Sequence, residues 1–248
     1  MKIKDLILNN KENTPWRLFT PSGANKEFCV LWIQGWSSSM DSHREGVEIM
    51  AEKSGVAFAT LDYAGHGLSK VPMDESTRSQ QLEEATAVFD ELKAQGFKRI
   101  IVIGGSWGGY IAALLCGKRS PQTVVLRVPA NYPDDEFNTP YKHTLRSKNY
   151  AAYTEKKETL KDLVNSSATR AIENYDGFVY VIAHELDEVV PEKIPRSYFE
   201  SAKQGNYLVV PNTKHSPKTM DNPKPRFEYI EHLIVAIIEA VKLQGDIK

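Results

Sequence analysis

Ser106 stands in Gly104-Gly105-Ser106-Trp107-Gly108-Gly109, between an apolar run at 100–103 and a helical run at 110–115. A serine forced into a sharp strand-to-helix turn projects its hydroxyl at the carboxyl edge of a sheet, and small neighbours such as Gly104 and Gly108 let the flanking backbones approach closely. That makes Ser106 a candidate nucleophile for acyl transfer. The following helix directs its first N–H groups, and the positive end of its dipole, at the place where an acyl oxygen would become negative. The N–H of Trp107 is one such donor. A glycine-rich turn without chemistry is the plain alternative. A phosphate-binding loop fits poorly, because its Lys-Ser or Lys-Thr ending is replaced by Gly109-Tyr110.

A second segment, Leu61-Asp62-Tyr63-Ala64-Gly65-His66-Gly67-Leu68-Ser69, precedes this turn. Together the two resemble the α/β-hydrolase family, whose strand-end pattern is Asp-x-Arg-Gly-x-Gly-x-Ser, and the resemblance spans residues 28–241. Ala64 departs from the usual arginine, which removes a structural ion pair without touching reacting groups. His66 is expected to organise the turn. Among members, the resemblance is to small capped carboxylesterases, feruloyl esterase-like or monoacylglycerol lipase-like.

A serine hydroxyl needs a base at neutral pH, and the family places its acid and its histidine after the nucleophile in that order. The segment His184-Glu185-Leu186-Asp187-Glu188-Val189-Val190-Pro191 is similar to the family's Gly-x-x-Asp-x-x-Val-Pro loop, which implies Asp187 as the acid, with Glu185 and Glu188 as chemically able substitutes. Asp134 and Asp135 read as a turn leading into a cap. His215, in Pro211-Asn212-Thr213-Lys214-His215-Ser216-Pro217, occupies the family's histidine position. His43, His143 and His232 read as solvated, and His184 as packing or pocket-lining. No metal is expected, since His184-Glu185-Leu186-Asp187-Glu188 lacks the second histidine of a zinc helix. No organic cofactor is required either.

The family's second oxyanion donor comes from a His-Gly-x loop, here Gln34-Gly35-Trp36, so the N–H of Trp36 is implied, with Gly35 folding the loop tightly enough to present it. The rings of Trp36 and Trp107 are expected beside the acyl group, favouring an apolar or aromatic acyl part, or else to face the core. Tyr132 is a candidate for the pocket mouth. Arg127, at a strand's carboxyl end, reads as binding a carboxylate at the pocket edge or pairing with a core acid. A histidine base must be neutral to accept a proton, so activity is expected to rise with pH across roughly 6 to 7.

The elements that must hold these groups are legible as short runs rich in branched or aromatic residues at 28–33, 56–61, 99–103, 124–128, 178–183 and 207–210. Helical patterns lie between them. One sets Leu82, Ala85, Val88, Phe89 and Leu92 on one face and closes at Gly96; another runs through Phe227, Ile230, Leu233, Ile234, Ile237 and Val241. Alternation of this kind predicts a doubly wound, mainly parallel α/β sheet in one domain, 1–248. The long interval 131–177 predicts an inserted cap, with Tyr132, Phe137, Tyr141, Tyr150, Tyr153 and Tyr175 too irregularly spaced for one core stripe.

The 248 residues carry 31 Lys plus Arg against 32 Asp plus Glu, a balance that argues against a nucleic-acid binder. Hydrophobic residues at 41% suffice for a large core. Cys29 and Cys116 lie in apolar runs and read as buried thiols. The N-terminus is too broken by charge for a signal peptide and no stretch reaches membrane-span length, so a cytoplasmic protein is the expectation. The expected partner is a small acyl ester or thioester, an excess of cations in the cap favouring an anionic acyl carrier unless it is simply a solvated face. An aminopeptidase is the rival enzyme, with Glu185 or Glu188 facing the pocket. A non-catalytic binding protein of the same fold is the rival from another class.

Overall fold

The computed structural model describes residues 1–149, 152 and 164–245. Its centre is a sheet of eight strands: β1 (Lys2–Ile7), β2 (Pro15–Thr20), β3 (Phe28–Ile33), β4 (Ala57–Leu61), β5 (Arg99–Gly105), β6 (Thr123–Arg127), β7 (Phe178–Leu186) and β8 (Gly205–Lys214). They lie in the order β1-β2-β4-β3-β5-β6-β7-β8. All pairings from β4 through β8 are parallel; only β1–β2 and β2–β4 are antiparallel.

Side chains alternate across a strand, and here both faces are apolar. In β3, Cys29, Leu31 and Ile33 enter one core while Phe28, Val30 and Trp32 enter the other; β5 divides Ile100 and Val102 from Ile101 and Ile103 in the same way. The first core is closed by α2 (Arg78–Ala94), α3 (Trp107–Cys116) and the helices Ser167–Glu173 and Lys193–Ser201. The second is closed by α1 (Arg44–Ser54) and the final helix Lys224–Gly245 through Val47, Met50, Ile230, Ile234 and Ile238. The expected doubly wound architecture is therefore observed.

Chain direction diverges beside β3, because β4 lies on one of its sides and β5 on the other. The chain leaves β3 toward α1 on one face and leaves β5 toward α3 on the opposite face. Such a reversal opens a crevice above the carboxyl ends of the strands, where α/β sheets bind ligands.

Several elements differ from expectation. β1 and β2 were not foreseen in the sequence pattern, and Val128, expected at the end of β6, lies beyond it with φ of 41°. Among the described residues of 131–177 lie two short 3-10 turns, Asp134–Glu136 and Tyr141–His143, and a helix Leu145–Lys148. Ser167–Glu173 instead joins the helical layer beside α3, burying Ala168 and Ile172. Tyr175 is likewise core, its hydroxyl donating to the Pro121 carbonyl at 2.8 Å. Tyr150 and Tyr153 lie outside the described residues. Among the described residues no helix is long and apolar enough to cross a membrane. Both cysteines are buried, which pushes their thiols well up.

Candidate active site

The turn between β5 and α3 is tight because two glycines remove the atoms that would hold it open. A Cβ on Gly104 would lie 2.2 Å from the Gly108 carbonyl oxygen, and one on Gly108 would lie 2.1 Å from that of Ile33. Ser106 sits at the apex with φ 54° and ψ −116°, a strained conformation for a residue with a Cβ. Main-chain bonds hold it there: its N–H donates to the Arg127 carbonyl at 2.9 Å, and its own carbonyl accepts from Ala130 N–H at 3.0 Å.

Asp187 and His215 reach the same edge from the neighbouring pair of strands. After an irregularity between His184 and Leu186, the last pairing of β7 with β8 is Leu186 with Lys214, so the next residues along both strands are Asp187 and His215. His215 Nδ1 lies 2.8 Å from Asp187 Oδ2, and His215 Nε2 lies 2.9 Å from Ser106 Oγ. An ionised carboxylate only accepts, so Nδ1 carries the proton and donates to Asp187, leaving Nε2 to accept from the Ser106 hydroxyl. Burial acts to raise the Asp187 carboxyl, but the bond from His215, the His215 charge and the amides of Val190 and Val189 outweigh it and hold it below the usual carboxylate range. The rival acids are engaged elsewhere: Glu185 accepts from the Asn212 N–H at 2.6 Å and Glu188 from the His215 N–H at 3.1 Å.

Two amides flank Ser106. Trp107 is the first residue of α3, where an N–H has no helical acceptor. Trp36 follows Gly35, whose added Cβ would meet the Gly105 carbonyl oxygen at 3.3 Å and Ser106 Cβ at 3.6 Å, so this loop lies directly against the turn. Among the described residues neither N–H is given to a main-chain carbonyl. Gln34, in place of histidine, is buried and donates to Asp62 Oδ1 at 3.1 Å, tying this loop to the end of β4.

Ser106 and His215 open on a cavity of about 480 Å³, which Gly35, Trp36, Arg127 and Tyr132 also line. Trp107 does not. Its indole is 4% exposed and donates from Nε1 to Gln81 Oε1 at 2.8 Å, because α2 offers a buried acceptor there. The expectation of two rings beside the acyl group is corrected to one, Trp36, with Trp107 stacked behind it at 4.6 Å between centroids. His43 is also corrected. Rather than solvated, it packs on Trp32 and lines the cavity, and burial, with Arg127 and Lys218, brings it down to about 4. His66 organises its turn, with Nδ1 3.1 Å from the Ala64 carbonyl. His184 is buried, its Nδ1 2.7 Å from the Lys214 carbonyl.

Two lining residues went unnoticed in sequence, Arg146 and Lys218. Arg146 lies in the basic stretch read as a solvated face or an attractor of an acyl carrier. Its guanidinium instead stacks on the Trp36 ring at 4.6 Å, while its neighbours Lys142 and Arg170 are paired with Glu75 and Asp134. Lys218 lies three residues beyond His215, in the 3-10 turn Pro217–Thr219. Among the described residues no group of His, Cys, Asp and Glu is arranged to hold a metal ion.

The family model for the alpha/beta hydrolase fold matches residues 29–156. A proline iminopeptidase of Lactobacillus delbrueckii subsp. bulgaricus is 27% identical over 96 residues, 38% of this chain and 32% of the relative, so the match spans about a third of that protein's length. Among solved structures, Est1E from Butyrivibrio proteoclasticus with ferulic acid bound superposes with a TM-score of 0.68 at 17% identity, covering 93% of this chain and 98% of that one. A monoacylglycerol lipase of Paleococcus ferrophilus gives 0.66 at 16% identity, covering 97% and 100%. At these identities the structural likeness is one of fold.

Proposed function

From a chain that belongs to the alpha/beta hydrolase fold family, we propose a serine hydrolase that cleaves carboxylic esters through an acyl-enzyme on Ser106. The observation that carries this reading is the unbroken relay from Asp187 through His215 to Ser106, with contacts of 2.8 and 2.9 Å. His215 Nε2 takes the hydroxyl proton as Ser106 Oγ attacks the ester carbonyl carbon. The carbonyl oxygen, now negative, is met by the N–H groups of Trp36 and Trp107. As the bond to the alcohol oxygen breaks, the imidazolium returns the proton to the leaving group, and water then attacks the acyl-enzyme through the same base. Asp187 keeps the imidazole in the tautomer that leaves Nε2 free. Gly35 and Tyr132 line the space the acyl or alcohol part fills. Thioesters are open to the same chemistry.

An aminopeptidase reading draws on the name of the Lactobacillus relative, but recognition of a free amino terminus needs an acidic group at the site. Among the described residues no Asp or Glu lines the cavity, and Glu185 and Glu188 are occupied by main-chain donors, which favours the ester.

The test is Ser106→Ala with a short aryl ester, beside labelling by a fluorophosphonate. Every bond that fixes the turn at Ser106 is main-chain, so the variant should fold and melt as the wild type does while turnover and labelling disappear. A variant as active as the wild type would overturn the reading. A wild type that resists the label and turns over no ester would point to a binding protein of the same fold, and cleavage confined to aminoacyl anilides would favour the peptidase.

A further inference from the structure

The charged side chains lining the Ser106 cavity are all cationic. Arg127, Arg146 and Lys218 line it, and among the described residues no carboxylate does. The cavity also has two unlike ends. Trp36, Tyr132 and Arg146 are shared with a small pocket in which the rings of Trp107 and Tyr141 stand beside Arg78, Gln81 and Glu136. Ser42, His43, Arg127, Lys218 and Phe227 form the wall shared with a second cavity of about 490 Å³ beneath the final helix. Ser106 and His215 line neither neighbouring space, only the cavity between them.

At its end of the cavity, Arg127 has no side-chain partner among the described residues. Its carbonyl holds the Ser106 N–H, and its guanidinium folds back over Gly105, with Nη2 3.1 Å from where a Cβ would be. Among the described residues no carboxylate is hydrogen-bonded or ion-paired to it. Asp187 acts on it only at longer range and is already engaged by His215; burial, the larger effect, lowers the guanidinium to about 10. The nearby histidines add no charge near neutral pH: burial foremost, with Arg127 contributing, brings both His43 and His184 down to about 4. The guanidinium is half-buried in the wall of the cavity, and a ligand that brings a countercharge to it there gains a charge-assisted pair. On the far side of the shared wall, Glu45, Glu228 and Glu231 line the second cavity, so an anion meets Arg127 favourably only from the Ser106 side.

We infer that the substrate is an ester carrying a second, ionised carboxylate, as in a half-ester of a dicarboxylic acid, with that carboxylate on Arg127 and Lys218 and the apolar part toward Trp36 and Tyr132. The inference rests on the hydrolase reading and adds the substrate class to it. Arg127 supplies a planar fork of donors suited to a carboxylate, and Lys218 a mobile point charge at the rim. At the other end Arg146 is stacked on Trp36, with Glu136 lining the same small pocket.

The experiment compares esters matched except that one member of each pair carries a carboxylate and the other a neutral group in its place. Monophenyl glutarate is set against phenyl pentanoate, and 4-acetoxybenzoate against 4-acetoxybenzamide, so that the carboxylate is offered once on the acyl part and once on the leaving group. In at least one pair the wild type should favour the anion in kcat/KM by about ten- to a hundredfold, the range of one charge-assisted hydrogen bond. Arg127→Met should bring that ratio toward one, and Lys218→Met, at an exposed position that does not endanger folding, should lower it in the same direction. Binding is read separately from turnover by the thermal shift that monophenyl glutarate gives the Ser106→Ala protein, a shift that phenyl pentanoate should not reproduce. Equal or faster hydrolysis of the neutral ester in both pairs, or a preference that survives both substitutions, would overturn the inference and leave the hydrolase standing. Absence of turnover for all four esters, with no fluorophosphonate labelling, would instead overturn the hydrolase reading, and the thermal shift would still decide whether the site takes an anion.

Discussion

Replacing Asp187 by asparagine tests the relay at the point where geometry makes the sharpest demand. Oδ1 of Asp187 accepts the N–H groups of Val189 and Val190, at 2.9 and 2.8 Å, and Oδ2 accepts from His215. An asparagine that keeps the two amide bonds must place its NH₂ where Oδ2 was, 2.8 Å from His215 Nδ1. Two donors cannot share that contact, so the imidazole moves its proton to Nε2 and presents a donor to Ser106 Oγ, which then has no base. The loss of the reactive tautomer is worth about 10⁴ in kcat in a relay of this type, or ~5 kcal/mol of barrier at ~1.4 kcal/mol per decade. Glu188→Gln keeps an acceptor oxygen for the His215 N–H and should cost less than about tenfold, the scale of one ordinary hydrogen bond. The assay is the kcat of an aryl ester in both variants, corrected for folded protein by circular dichroism. If Asp187→Asn retains activity within tenfold of the wild type, or Glu188→Gln or Glu185→Gln loses a thousandfold, the orienting acid is not Asp187 and the reasoning fails.

Two further outcomes follow from buried contacts. Gly108→Ala would bring a methyl to 2.1 Å from the Ile33 carbonyl oxygen and 2.5 Å from that of Gln34; both are main chain and cannot rotate aside. Destabilisation of about 3 kcal/mol, a melting temperature lower by roughly 6–12 °C, is expected by calorimetry, and an unchanged melting point would refute the close approach. Glu84 is buried, and desolvation raises it to about 7 against an ordinary 4.5, despite bonds from the Ala64 N–H and the Thr14 hydroxyl. The folded state therefore holds a proton that the unfolded chain has released. This contribution is complete below pH 4.5, declines as pH rises, and is lost above about 7, for a total of about 3 kcal/mol. Denaturant titrations across that window should show wild type losing stability relative to Glu84→Gln as pH rises; parallel curves would show that Glu84 ionises alike in both states.

The turn at Ser106 stood out because the apolar run at 100–103 stops at it, and such a run has few alternatives to a buried parallel strand, whereas Asp187 and His215, about four and five residues past the runs at 178–183 and 207–210, were implied by the family resemblance alone. β2 escaped because Arg17 interrupts it. Its guanidinium is buried all the same, held by Asp5 at 2.5 Å and Asp41 at 2.6 Å, partners supplied by β1 and by the loop before α1. The face of Trp107 was equally hidden, since its acceptor Gln81 lies 26 residues away. His43 reads as a surface residue until the fold packs it on Trp32 and sets it in the wall between two cavities. For Arg127 both readings of the sequence shared one position at a strand end. What separates them is whether a carboxylate reaches it, a property of the assembled cavity and not of the segment.

The strain at this edge of the sheet bears on why Ser106 and Arg127 occur together. Ser37, Ser106 and Val128 all adopt positive φ, at 55°, 54° and 41°, and a branched side chain such as that of Val128 resists this most. Each costs on the order of 1–3 kcal/mol and persists only where surrounding bonds dictate it. Those bonds form one lattice: Ser106 N–H to the Arg127 carbonyl, Val128 N–H to the Ile182 carbonyl at 2.7 Å, and Ala130 N–H to the Ser106 carbonyl. The backbone that bends Ser106 into place is thus the backbone that carries Arg127, and Gly105 is the residue across which the two are paired. Relaxing Val128 would displace Arg127 and Ser106 together, so the spacing between the attacking oxygen and the guanidinium is set by main-chain geometry. On the proposed reading, a spacing fixed in that way would select substrates by the distance between their ester and their carboxylate, so kcat/KM along a series of dicarboxylic half-esters should peak at one chain length, and a flat series would refute it.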